Sequence, residues 1–120
     1  MADLIELARK RRGQAPPPWV MWDALSDPFK GDIRPWLDVR PGEVAPTVLD
    51  GNRPSSLVWS SIWLDGPDMQ IRFEIVPDGP GSMVTLVLWG PADTDPDDIA
   101  HRRYRLSQLV NGQLRDSFDV

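Results

Sequence analysis

The pattern of apolar and polar positions changes period along the chain. In the last stretch, Asp95 to Phe118, the residues Ile99, Leu106, Leu109, Val110, Leu114 and Phe118 recur at helical spacing and mark one apolar stripe, as expected of a helix facing a core. Asp95 is placed to cap that helix, Pro96 stands where a missing N–H costs nothing, and Asp97 and Asp98 complement the positive helix end. The pair Asn111 and Gly112 lies inside the helix, where glycine costs about 1 kcal/mol relative to alanine. A kink or break is expected there.

The middle of the chain runs at period two. Glu43 to Leu49 reads as a strand interrupted by Pro46, which places it at an edge or a bulge. The turn-rich residues 50–54 follow, then a strand from Leu57 to Leu64 and a turn from Asp65 to Asp68. From Met69 to Val76, the residues Met69, Ile71, Phe73 and Ile75 alternate with Gln70, Arg72 and Glu74, so one face is buried and the other wet. After a tight turn, Ser82 to Trp89 is apolar on both faces, with Met83, Val87 and Trp89 on one and Val84, Leu86 and Leu88 on the other. A strand of that kind is central or lies in an interface. Consecutive strands joined by short turns predict an antiparallel meander, and a long helix crossing it makes the domain α+β.

The first part is less regular. Leu4 to Arg12 fits a helix capped by Asp3 or a strand, because Ile5, Leu7 and Arg9 alternate with Glu6, Ala8 and Lys10. Pro16, Pro17 and Pro18 launch a short helix that carries Trp19, Val20, Met21, Trp22 and Leu25 and stops at Asp27 and Pro28. Phe29 to Leu37 reads as a second short helix or an irregular crossing, anchored by Phe29, Ile33 and Trp36.

At 120 residues the chain reads as a single domain spanning 1–120. Its net charge of −5 disfavours general binding to a phosphate backbone, so no nucleic-acid partner is expected. The basic run Arg9 to Arg12 reads as a solvated face or as protection of an edge strand. The absence of cysteine removes disulfides, thiolate nucleophiles and cysteine metal sites. No stretch has the roughly 18 apolar residues of a membrane span and the start lacks a signal-like apolar run, so no membrane insertion and a cytoplasmic location are expected. Six tryptophans against one tyrosine predict a core or cavity dominated by indole rings.

Several of these residues together resemble a known family. The run from Pro17 to Pro28 resembles the opening of the SRPBCC superfamily, the START and Bet v 1-like helix-grip fold, where a proline-led helix carries a hydrophobe, a Trp and a Leu. Trp36 and Leu37 match its Trp before the sheet, Glu43, Pro46, Val48, Leu49, Pro54, Leu57, Val58 and Trp59 are similar to its next two strands, and Gly79 and Gly81 resemble its glycine-rich turn. Arg105, Leu106, Gln108, Leu109, Asn111, Leu114 and Arg115 resemble its closing helix. The resemblance implies a strand at Leu4 to Arg12, two short helices after it, and a curved antiparallel sheet that grips the long C-terminal helix around a cavity. Relatives use that cavity for lipids, polyketides, hormones or other apolar small molecules. Some are aromatase/cyclases, and others, of the Hsp90-activator type, bind proteins. The chain reads about one hairpin short of the usual sheet, which leaves a smaller or open cavity, or one closed by a second subunit in a homodimer through the sheet.

The expected ligand is thus a hydrophobic or aromatic small molecule, with Trp36, Trp59, Trp63, Phe73 and Trp89 as cavity walls alongside Leu106 and Val110 of the helix stripe. Core packing explains each aromatic equally well. Arg103 falls between Ile99 and Leu106 by spacing, and it either snorkels to solvent or reaches the cavity, where it and Gln113 orient a ligand carboxylate, phenolate or carbonyl. His101, the one histidine, falls on the water-facing side, so a Ser-His-Asp triad has poor support. Helix capping accounts for Asp93, Asp95, Asp97 and Asp98, and neither a metal nor a cofactor is expected. Gly79 to Gly81 is a hairpin turn, and phosphate-binding glycine loops are absent. A cyclase or aromatase activity and a protein-interaction module stand as the alternatives to simple binding.

Overall fold

The period-two region folds as a run of antiparallel strands, β2 (Val48–Asn52), β3 (Ser56–Ser60), β4 (Gln70–Asp78) and β5 (Gly81–Pro91), in the computed structural model, which describes residues 4–26 and 39–115. The basic N-terminal stretch is strand β1 (Leu4–Gln14), paired antiparallel with β5, so the sheet order is β1-β5-β4-β3-β2. Its run Arg9 to Arg12 therefore lies on an edge strand, where repelling charges discourage pairing with another chain. The expected second short helix, Phe29 to Leu37, lies outside the described residues, as do Trp36 and Phe118.

Two expected strands have other bounds than the polarity pattern suggested: the first starts late and runs on through 50–52, read as part of a turn, and the second stops early. Glu43 makes an isolated bridge to Trp63, and the Val44 N–H donates to the Ile62 carbonyl at 2.8 Å. Pro46 has no N–H to continue that ladder, so β2 begins at Val48. Across from it, β3 ends at Ser60 rather than Leu64. The Ser61 hydroxyl accepts from the Trp63 N–H at 3.0 Å and donates to the Gly66 carbonyl at 2.6 Å, which folds the chain away from the sheet. At the other end, β4 and β5 meet through Gly79 and Pro80, with Asp78 paired to Gly81. Gly79 has a φ of +56°, the region this tight hairpin requires and glycine enters without a Cβ clash.

One face of the sheet is dry. Ile71, Phe73 and Ile75 of β4 and Val84, Leu86 and Leu88 of β5 point into a single core, which follows from period-two alternation. Helix α1 (Pro18–Ser26) closes part of that face with Met21 and Leu25. Two indoles tie it down: Trp59 Nε1–H donates to the Leu25 carbonyl at 2.8 Å, and Trp22 Nε1–H to the Ser56 carbonyl at 2.7 Å. Trp59 also meets Phe73 edge-on, with ring centroids 4.8 Å apart.

Helix α2 (Pro96–Ser107) covers the rest, and a π-helical segment, Gln108–Leu114, continues it. Asp95 is the N-cap, its carboxylate accepting from the Asp97 N–H at 2.8 Å. The interruption expected around Asn111 and Gly112 takes the form of this π segment, which contains both residues and keeps Leu109, Val110 and Leu114 fully buried. The outer face of β5 is partly covered within the chain, because the Arg72 guanidinium lies 4.0 Å over the Trp89 ring and Val87 is buried. Its double apolarity therefore does not by itself require a second subunit. Among the described residues no helix is long and apolar enough to cross a membrane.

Candidate functional site

α2 presents two arginines, Arg102 and Arg105, toward the segments that flank the sheet, and both are buried. Their surroundings differ. Arg105 forms a fork with Glu43, Nε to Oε2 and Nη2 to Oε1 each at 2.9 Å, with both side chains about nine-tenths buried. The Arg40 N–H adds a bond to Glu43 Oε1 at 3.0 Å. Burial pushes the Glu43 carboxyl up, but the Arg105 hydrogen bonds and the Arg40 amide outweigh it and hold the group below its usual value.

Arg102 has much weaker partners. Its Nη2 reaches Asp65 Oδ1 at 3.3 Å, and that aspartate is 80% exposed. The guanidinium carbon lies 4.7 Å from the Trp63 ring centre. Gly66 lies against the same group, since a Cβ there would come within 3.1–3.2 Å of Nη2, Nη1 and Cζ. The buried Nε of Arg102 has no hydrogen-bond acceptor among the described residues.

Between these arginines and the chain at residues 40–43 and 63–65 lies an open groove of about 640 Å³. Trp63, Arg102, Arg105 and Glu43 line it together with Leu64, Tyr104, His101 and Gln108. Leu64 and Tyr104 are 65% and 67% exposed. Paired charges thus share the groove with two large, solvent-facing apolar side chains. Among the described residues no group of three or more His, Cys, Asp or Glu side chains is placed to hold a metal ion.

The residues singled out from the sequence are not brought together in one place. Trp63 lines the groove. Trp59, Phe73, Leu106 and Val110 are core residues with essentially no exposed surface, so the space between sheet and helix that they were expected to border is packed. Trp89 faces the opposite side of the sheet, as its alternation with the inward-pointing Leu88 dictates. Arg103 is exposed and donates to the Arg9 carbonyl at 3.3 Å, away from the groove, which is the snorkelling outcome. Gln113 is half-buried in the π segment beyond the groove. The arginines that do line it were within reach of the sequence. Arg102 stands three residues after Ile99 and four before Leu106, at the margin of the stripe that Arg103 falls inside, and the helix buries that margin instead. Glu43 carried no such signal, because its partner lies 62 positions away.

No family model matches the sequence, and no curated protein matches it significantly. Solved structures do match it in three dimensions. CalU16 from Micromonospora echinospora superposes with a TM-score of 0.65 at 16% identity, covering 94% of this chain and 80% of its own. The Aha1 dimer from Colwellia psychrerythraea gives a TM-score of 0.63 at 14% identity, covering 96% and 95%. An AHSA1-like protein from Rhizobium etli gives 0.57 at 14%, covering 94% and 81%. The chain shares the helix-grip fold of these structures, a curved antiparallel sheet against a C-terminal helix. In this helix-grip chain the gripped helix meets a filled core, and the groove opens on the helix's arginine-bearing side.

Proposed function

We propose that the protein binds a small molecule with an apolar or aromatic body in the groove beside α2. The observation that carries this reading is the exposure of Leu64 and Tyr104 on the walls of a 640 Å³ groove that also holds buried charged groups. Concave sites of this size, with apolar walls and a few fixed polar groups, are the usual form of a small-molecule site. Covering the two side chains contributes roughly 25 cal/mol per Å² of apolar area before ordering costs. The polar lining sets orientation, a role that passes here from Arg103 and Gln113 to Arg102 and to the Glu43–Arg105 fork.

Ligand-observed NMR with a set of aromatic fragments tests this reading. Fragments should bind the native protein and weaken several-fold when Leu64 and Tyr104 are both replaced by serine, substitutions that leave the core untouched. Equal binding by the double variant overturns the proposal. Protein interaction is the second reading, favoured by the same two exposed side chains at the rim of an open groove. Homodimerisation through the sheet is one form of it, and the matched Aha1 protein is a dimer in solution. Sedimentation that shows only monomer at high concentration removes the homodimer.

A further inference from the structure

Two buried guanidiniums stand one turn apart on α2, and among the described residues Arg105 has the closer and more buried carboxylate partner. Arg105 has a two-point carboxylate partner at 2.9 Å. Arg102, equally buried, has among the described residues one 3.3 Å contact with an exposed aspartate, and its Nε has no acceptor there. A buried cation is costly unless it is paired and hydrogen-bonded. Trp63 and Gly66 pack against the Arg102 guanidinium, and its weakly partnered nitrogens are where an acceptor can be added.

We infer that Arg102 is an anion-recognition residue and that the ligand class of the groove is an apolar or aromatic carboxylate. This assignment rests on the groove being a small-molecule site, as proposed above. The ligand's carboxylate takes the nitrogen edge of Arg102 and displaces Asp65, whose exposed side chain moves into water at little cost. Its apolar body then lies along Leu64 and Tyr104. Arg105 does not compete for the anion, because Glu43 already occupies its fork. Arg102 and Arg105 therefore play different parts: one reads the ligand's charge and the other holds the groove together.

Isothermal titration of 2-naphthoate and of its neutral counterpart 2-naphthamide tests the assignment. The native protein should prefer the carboxylate about tenfold, the scale of one charge-assisted hydrogen bond. Arg102→Gln should abolish the preference while leaving the amide's affinity in place. Asp65→Asn, at an exposed position that leaves folding intact, should tighten binding of the carboxylate several-fold and leave the amide unchanged, because the competing carboxylate is gone. Equal affinities of the two probes for the native protein, or an Asp65→Asn variant without tighter carboxylate binding, overturn the anion assignment and leave the groove standing as a site. Failure of both probes to bind overturns the assignment and the groove reading together.

Discussion

Replacing Glu43 by glutamine removes one charge from the lining of the groove and leaves its shape nearly unchanged. In the native chain that carboxylate takes two 2.9 Å bonds from Arg105 and one 3.0 Å bond from the Arg40 amide, in a site where both partners are about nine-tenths buried. The amide keeps one acceptor and removes the negative charge that faces the Arg105 cation. Breaking a buried pair from one side typically costs about 3–5 kcal/mol; because the groove is open to water, the low end applies, about 3 kcal/mol. For a chain of this size that corresponds to a fall in Tm of about 10 °C. Burial raises the Glu43 pKa and its hydrogen bonds lower it, with a net position below the ordinary 4.5. A depressed carboxylate stabilises the fold fully above its unfolded pKa and loses that contribution as pH falls through the folded value. The gap between native protein and Glu43→Gln should therefore be widest at neutral pH, hold down to about pH 5, and close below the usual carboxylate range. Urea denaturation followed by far-UV circular dichroism across that range measures it. Replacing the pair together, Glu43→Leu with Arg105→Met, should cost less than Glu43→Gln alone, since no charge is left unpaired. A Glu43→Gln variant within about 1 kcal/mol of the native protein at pH 7, the scale of a surface ion pair, would refute the reasoning.

The remaining predictions concern the fold that carries the groove. Trp59→Phe keeps most of the ring but leaves the Leu25 carbonyl without its indole donor, so urea denaturation should register a loss of about 1–3 kcal/mol. Gly81→Ala sets a Cβ against the carbonyl oxygens of Gln14 and Ala15, backbone atoms that cannot step aside; a loss of about 3 kcal/mol or more, or no folded protein, is expected from purification and circular dichroism. Gly112→Ala meets nothing within 4 Å and should raise stability by about 0.5–1 kcal/mol in thermal melts. The exposed fork between Arg53 and Asp23 should contribute little, with Asp23→Asn shifting stability by less than about 1 kcal/mol.

What the polarity pattern revealed depended on how local the deciding interaction is. The alternation of Ile71, Phe73 and Ile75 with Gln70, Arg72 and Glu74, and the capping signals at Asp95 to Asp98, act within a few residues and appear in the structure as read. Strand ends were less legible. Pro46 did signal a break, but the loss of Leu64 from β3 depends on a serine hydroxyl turning the chain three residues earlier. The polarity pattern of Leu4 to Arg12 is ambiguous by itself because what makes it a strand is pairing with β5, more than seventy positions away. The groove was the hardest feature to anticipate. A helical wheel places Arg103 inside the apolar stripe and Arg102 at its margin, and the way α2 rotates over the sheet reverses that order. The tryptophans marked the core more faithfully than the site: Trp59 is sealed, Trp89 is stacked under Arg72, and among those described Trp63 alone borders the groove.

The most direct test of the groove as the binding site is an amide chemical-shift map of the protein titrated with 2-naphthoate. The shifts should cluster on Gly42, on Trp63 to Gly66 and on His101 to Arg105, with the core strands around Phe73 and Leu86 unmoved. Shifts centred on the packed space between the sheet and the buried side of the helix, or on the outer face around Trp89, would contradict the account.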